Sequence, residues 1–115
     1  MENFTTRVEL HNPDEGDYEL LHHEMRDVLF YQAVKHNGVW HDLPRAEYDC
    51  LSDFTTTFIY NLAHTAVKAV IDIKPVNDQQ QVKDFWIIVT KSEGERVFKL
   101  PLTTDAARLP EGEAL

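Results

Sequence analysis

Six histidines and a cluster of carboxylates are the side chains best suited to chemistry here, and their spacing limits what they can do. His11 stands where an N-terminal strand gives way to a helix, beside Asp14 and Asp17. A histidine with a carboxylate nearby can serve as a general base, which makes His11 and Asp14 the catalytic candidates. His11 can equally be a polar residue that finishes a strand. His22 and His23 are adjacent and point about 100° apart on a helix, so they cannot close on one metal as an i, i+4 pair would. His36 and His41 flank a hairpin, and His64 lies beside an apolar helical stripe. Asp14, Glu15 and Asp17 could take Mg²⁺, but acids at a helix start are also what the helix dipole selects. Cys50 is the single cysteine, so it forms no internal disulfide and no CxxC pair. With no GxGxxG, P-loop or GxSxG either, no cofactor and no metal are expected.

Among the basic residues, Lys35 and Arg45 bracket the hairpin that carries Trp40 and His41. Cations beside a flat aromatic suit phosphate contact and base stacking. Together with Arg7 on the first strand, these five form the candidate RNA contacts. Against RNA stands the balance of 20 acids to 11 bases, a formal charge of −9. Nucleic-acid affinity draws heavily on Lys and Arg against phosphate, so only a local basic patch would serve.

The elements that must position these residues follow from periodicity. Phe4, Thr6, Val8 and Leu10 alternate with Thr5, Arg7 and Glu9, the two-residue period of a half-buried strand. Asn12-Pro13-Asp14 breaks it, and from Asp14 onward Tyr18, Leu21, Met25, Val28 and Leu29 fall at helical spacing. Phe30–Lys35 and Val39–His41 are rich in strand formers and flank Asn37-Gly38, a hairpin signal. Ala46–Leu51 alternates again, and Ser52 or Asp53 offers a helix N-cap. Phe54, Phe58, Ile59, Leu62, Ala63, Ala66, Val67 and Val70 make a second helical stripe, ending before Pro75 with Ile71–Ile73 extended. Val76–Lys83 is a polar loop and Phe85–Thr90 a buried strand. Ser92–Glu95 is a turn, and Arg96–Leu100 a last short strand.

This order predicts an α+β fold, a ferredoxin-like βαββαβ sandwich with an additional C-terminal strand. Residues 1–100 form the domain and 101–115 a flexible tail. In that arrangement Arg7 pairs across strands with Glu47 or Asp49. The outward row of the first strand carries no aromatic, which excludes base stacking in the manner of an RNA recognition motif.

At 115 residues the chain can build one core but not two. No apolar run approaches the roughly 20 residues of a membrane span, so no membrane partner is expected. Met1–Thr5 has neither a basic start nor an apolar core, so the expected location is the cytoplasm.

Three motifs carry a resemblance. Arg7-Val8-Glu9-Leu10, the helix Tyr18–Met25 (YELLHHEM) and Leu43–Tyr48 (LPRAEY), with Gly38 in the intervening hairpin, resemble the GhoS-like family of small bacterial ferredoxin-like domains. That group takes in a type V antitoxin endoribonuclease and its uncharacterised relatives. The likeness spans about the first half of the chain. It implies the ferredoxin-like fold, sequence-selective RNA cleavage and an antitoxin role in a toxin–antitoxin pair. The fold is also similar to that of small dimeric CRISPR-associated nucleases, which hold an acid at the end of the first strand. Here His11-Asn12-Pro13-Asp14 stands in that place. A homodimer is expected through the edge strand at Arg96–Leu100. A second class stays open beside the nuclease, a non-catalytic acidic module that binds a protein partner.

Overall fold

The computed structural model describes residues 1–94 and 96–115. Strand β1 (Glu2–His11) runs through the middle of a three-stranded antiparallel sheet of order β4-β1-β5, with β4 at Glu47–Ser52 and β5 at Asp84–Ser92. Its alternation is realised as expected: Phe4, Thr6, Val8 and Leu10 are buried, while Arg7 and Glu9 face outward. The register sets Arg7 between Glu47 on one side and Ile88 on the other. Among the described residues Arg7 forms no ion pair, so the cross-strand pairing expected for it is not made.

Helices α1 (Asp17–Asp27) and α2 (Thr56–Ile73) cover the inner face. Leu21 and Met25 of α1 meet Phe4, Val8, Tyr48 and the α2 residues Ile59, Ala63, Val67 and Val70 in one core. Removing this apolar surface from water is the main force holding the layers together. The chain leaves α1 through Leu29 at φ 68°, with Phe30 N–H donating to Met25 O and Leu29 N–H to Arg26 O, both at 2.9 Å. That is a left-handed helix terminus normally given to glycine.

Hairpin β2 (Ala33–His36) and β3 (Val39–Asp42) forms a separate two-stranded sheet. Asn37 and Gly38 both have positive φ, as the tight turn expected from Asn-Gly requires. Among the described residues the main sheet continues past β4 only at Tyr31, which exchanges backbone hydrogen bonds with Asp49 at 2.9 and 2.7 Å.

Several boundaries differ from expectation. Thr55, rather than Ser52 or Asp53, caps α2 by accepting from Phe58 N–H at 3.1 Å. Ser52 instead accepts from Phe54 N–H and turns the chain toward the helix. Ile71–Ile73 is helical, not extended, because burying Ile71 against the core extends the helix to the residue before Lys74-Pro75. The turn expected at Ser92–Glu95 ends on Glu95, which lies outside the described residues. Arg96–Leu100 is not a strand. Its polar contacts run to side chains instead: Leu100 O meets His41 Nδ1 at 3.2 Å, and the Phe98 ring packs on His41 and His36. The additional C-terminal strand, and with it the edge named for a homodimer, is therefore absent; the free edge of the sheet is β5.

Residues 101–115 lie along the hairpin. Asp42 N–H donates to Pro101 O and Thr103 N–H to Trp40 O, and Leu109 is fully buried. Arg108 reaches the carbonyls of Gln32 and Leu43 and sits 3.0 Å from the Asp42 carboxylate. The described residues form an α+β fold of five strands in two antiparallel sheets with two helices. No helix among the described residues is long and apolar enough to cross a membrane.

Candidate nucleic-acid interface

The face of the sheet turned away from the helices gathers more chemistry than any single segment predicted. On β5, Phe85, Ile87 and Val89 turn toward the core, which forces Trp86 and Ile88 outward. They remain 66% and 61% exposed, unusual for side chains of that size. The register places Glu9 opposite Trp86, Arg7 opposite Ile88 and His11 opposite Asp84.

His11 stands edge-on to the Trp86 ring, 4.4 Å between centroids at 84°. Its Nε2 lies 3.7 Å from the Glu9 carboxylate, which can orient the imidazole. One indole face, one imidazole and one guanidinium thus share a single open surface. Toward the other end, Arg96 pairs with Asp49 at 2.7 Å and donates to Ser92 Oγ at 2.9 Å. Burial pushes the Asp49 carboxyl above its usual range, and the Arg96 and Thr5 hydrogen bonds offset this only in part.

The remaining site residues are dispersed. Asp14 is locked into an ion cluster: its carboxylate lies 3.1 Å from both Lys74 and Lys83 and accepts from Asp78 N–H at 2.9 Å. That backbone hydrogen bond, opposed by burial and reinforced by the two ammonium groups, lowers its pKa to about 2. Asp14 is therefore ionised at neutral pH with its oxygens already occupied. Lys35 and Trp40 are cross-strand partners, the ammonium 5.7 Å from the ring centroid and 3.8 Å from Glu113. His41 points to the other side of the hairpin, against Phe98 and Leu100. Arg45 stacks on the Tyr18 ring at 4.0 Å, next to α1. So Arg7 and His11 share only the outward row of β1, four residues apart, Lys35 lies against Trp40, and Asp14 and Arg45 stand elsewhere.

Sequence reasoning missed Trp86, because Phe85–Val89 is apolar throughout and a continuous run gives no alternation from which to read a face. It also missed His22, whose Nδ1 lies 2.6 Å from the hydroxyl of the fully buried Tyr48. Burial holds the His22 imidazole below the usual histidine range, with Arg108 and Arg45 acting in the same direction against Glu19. Cys50 is pushed up to about 12 by burial and by neighbouring Asp49, so it stays a thiol. Among the described residues no group of three His, Cys, Asp or Glu side chains is placed to hold a metal ion.

What fold and site define is an α+β domain with one open, mixed aromatic and charged sheet face. Compared with known proteins, the chain matches no family model, no curated protein and no solved structure.

Proposed function

We propose that this protein is a GhoS-like endoribonuclease that holds single-stranded RNA on its open sheet face, in the cytoplasm, as the antitoxin of a toxin–antitoxin pair. The observation that carries the reading is the Trp86–His11 pair: an exposed indole able to stack a base, with an imidazole 4.4 Å away. His11 acts as general base on a ribose 2′-hydroxyl, whose oxygen attacks the adjacent phosphorus. The P–O5′ bond breaks, the 5′ oxygen takes a proton from solvent, and a 2′,3′-cyclic phosphate remains. Arg7, on the same row, stabilises the charge that develops on the phosphoryl oxygens. The Tyr31–Asp49 bridge beyond β4 supports a sheet order of β5-β1-β4-Tyr31, the order of a ferredoxin-like sandwich whose second strand has shrunk to one residue. The antitoxin role and the choice of RNA rest on the resemblance of RVEL, YELLHHEM and LPRAEY.

A second reading draws on the same face. Trp86 and Ile88 are exposed on a chain of charge −9, a combination that also fits a non-catalytic module docking a protein partner. A homodimer through the open edge of β5 belongs to either reading.

Cleavage of a pool of labelled RNAs by wild type, His11→Ala and Trp86→Ala separates them. Cuts at defined sites that vanish in His11→Ala, and need far more protein in Trp86→Ala, are expected. An intact pool with no RNA bound even at low salt overturns the nuclease and favours the protein-binding module.

A further inference from the structure

At the end of the molecule where α1 runs out and α2 begins lies a pocket of about 370 Å³. Its floor is formed by the buried core residues Phe30 and Ile59. Its rim is Met1, Leu29, Leu51 and Phe54, each more than half exposed. The Phe58 ring lies 4.3 Å from that of Phe54 and carries the apolar surface further along α2. Bulky apolar side chains scattered singly over a surface need no explanation, whereas several converging on one concavity mark a contact site. Leu29 adds to this: its φ of 68° is a conformation glycine holds without strain, yet a leucine stands there with its side chain on the rim. Arg7, His11, Trp86 and Ile88 take no part in lining the pocket, so it stands apart from the open sheet face and the function proposed for it.

Charge decides the occupant. Among the described residues no Lys, Arg or His lines the pocket, and its one charged side chain is Asp53. Glu2, opposite Ser52, and Asp27, one residue before Val28, stand next to lining residues. Asp53 meets the amino terminus at 3.3 Å and Asp27 meets His23 at 3.5 Å, but all four groups are well exposed, and such pairs are weak in water. A second copy of a chain of charge −9 would set these same acids face to face, which disfavours association. We infer that the pocket receives a bulky apolar side chain from a basic amphipathic helix of a partner protein, with Lys or Arg beside the anchor meeting Asp27 and Asp53. Pocket and Phe54–Phe58 strip offer two adjoining apolar contacts, which suits anchors spaced one turn apart on such a helix. The apolar anchor supplies most of the affinity, and the acids select the sign of the partner's charge.

The test is fluorescence anisotropy of a labelled amphipathic peptide of leucine and lysine, titrated with the full chain. Two controls accompany it: the same peptide with glutamate in place of lysine, and one of unchanged composition scrambled so that the leucines no longer share a face. The lysine peptide should bind saturably, and both controls about tenfold more weakly or less. Leu29→Gly and Leu51→Ser should each weaken binding about tenfold, while Trp86→Ala leaves it unchanged. Leu29→Gly relieves backbone strain, so a binding loss in a variant whose melting temperature has not fallen is not unfolding. No binding, equal binding of either control, or binding that survives both pocket variants overturns the proposal. Self-association of the chain that Leu29→Gly abolishes would make the occupant a second copy and overturn it as well. RNA cleavage is scored separately, so failure of the pocket leaves the nuclease standing.

Discussion

The Lys83 ammonium lies 2.8 Å from the Asp17 carboxylate, with 1% of the lysine side chain exposed. The contact fastens the residue before β5 to the first turn of α1, two points 66 residues apart. Asp14 completes the cluster at 3.1 Å, and Asn77 adds a hydrogen bond to Asn12 O. Burial alone would lower the Lys83 pKa, yet the hydrogen bonds it donates to Asp17 and Asp14 outweigh it and raise it. Its contribution is therefore complete below the ordinary 10.5 and is lost only as alkaline pH passes the folded value. Lys83→Met leaves the carboxylates facing each other without their shared cation. It should destabilise the fold by about 3 kcal/mol, read as a lower midpoint in urea.

Acid should unfold the protein through identifiable groups. The Asp14 pKa is depressed from 3.8 to about 2, so its contribution is full above 3.8 and disappears as pH falls toward 2. His22 is also depressed from 6.5, so its share is present above 6.5 and lost as pH drops through the folded value. Asp49, raised from 3.8, works the other way and regains stability on protonation. Urea midpoints measured from pH 7 to 2 should fall in two steps, and Asp14→Asn should flatten the lower one.

Trp86→Ala removes a side chain that packs on little except His11. Stability should change by no more than about 0.5 kcal/mol. RNA retention should fall about tenfold, the order expected for one lost base-stacking contact. Filter binding beside urea unfolding measures both, and a large stability loss with unchanged retention would make Trp86 structural.

At the end of α1, Leu29 adopts the left-handed conformation with its side chain 64% exposed. An L-residue is strained there by about 1–2 kcal/mol, while glycine is not, although glycine costs more entropy on folding. Leu29→Gly should stabilise the domain by about 0.5–1 kcal/mol, seen as a higher melting temperature.

The Tyr48 phenol has its pKa raised by burial, and its hydroxyl contacts only His22 among the described residues. The proton therefore points to Nδ1, fixing the neutral tautomer with hydrogen on Nε2. Tyr48→Phe should cost about 1 kcal/mol. It should also free the His22 ring from the single tautomer that the Tyr48 hydroxyl fixes, which NMR of the imidazole nitrogens would register.

What the amino-acid sequence determined by itself is local. The alternation of Phe4–Leu10, the helical stripes of Tyr18–Met25 and Ile59–Val70, and the Asn37-Gly38 turn each follow from backbone geometry over a few residues. The N-cap shows where that kind of reading ends: Ser52, Asp53 and Thr55 are all competent caps, and only packing of Ile59 against the sheet selects Thr55. Tertiary structure decided the rest. Trp86 faces outward because Phe85 and Ile87 were taken by the core. Asp14 serves Lys83 because the Asn12–Asn77 contacts bring the loop before β5 onto the start of α1. Arg96–Leu100 stays irregular because its groups find partners in His41, Asp49 and Ser92 rather than in a neighbouring strand. Periodicity shows which residues share a face, but it carries no information about which distant segment will cover that face or leave it open.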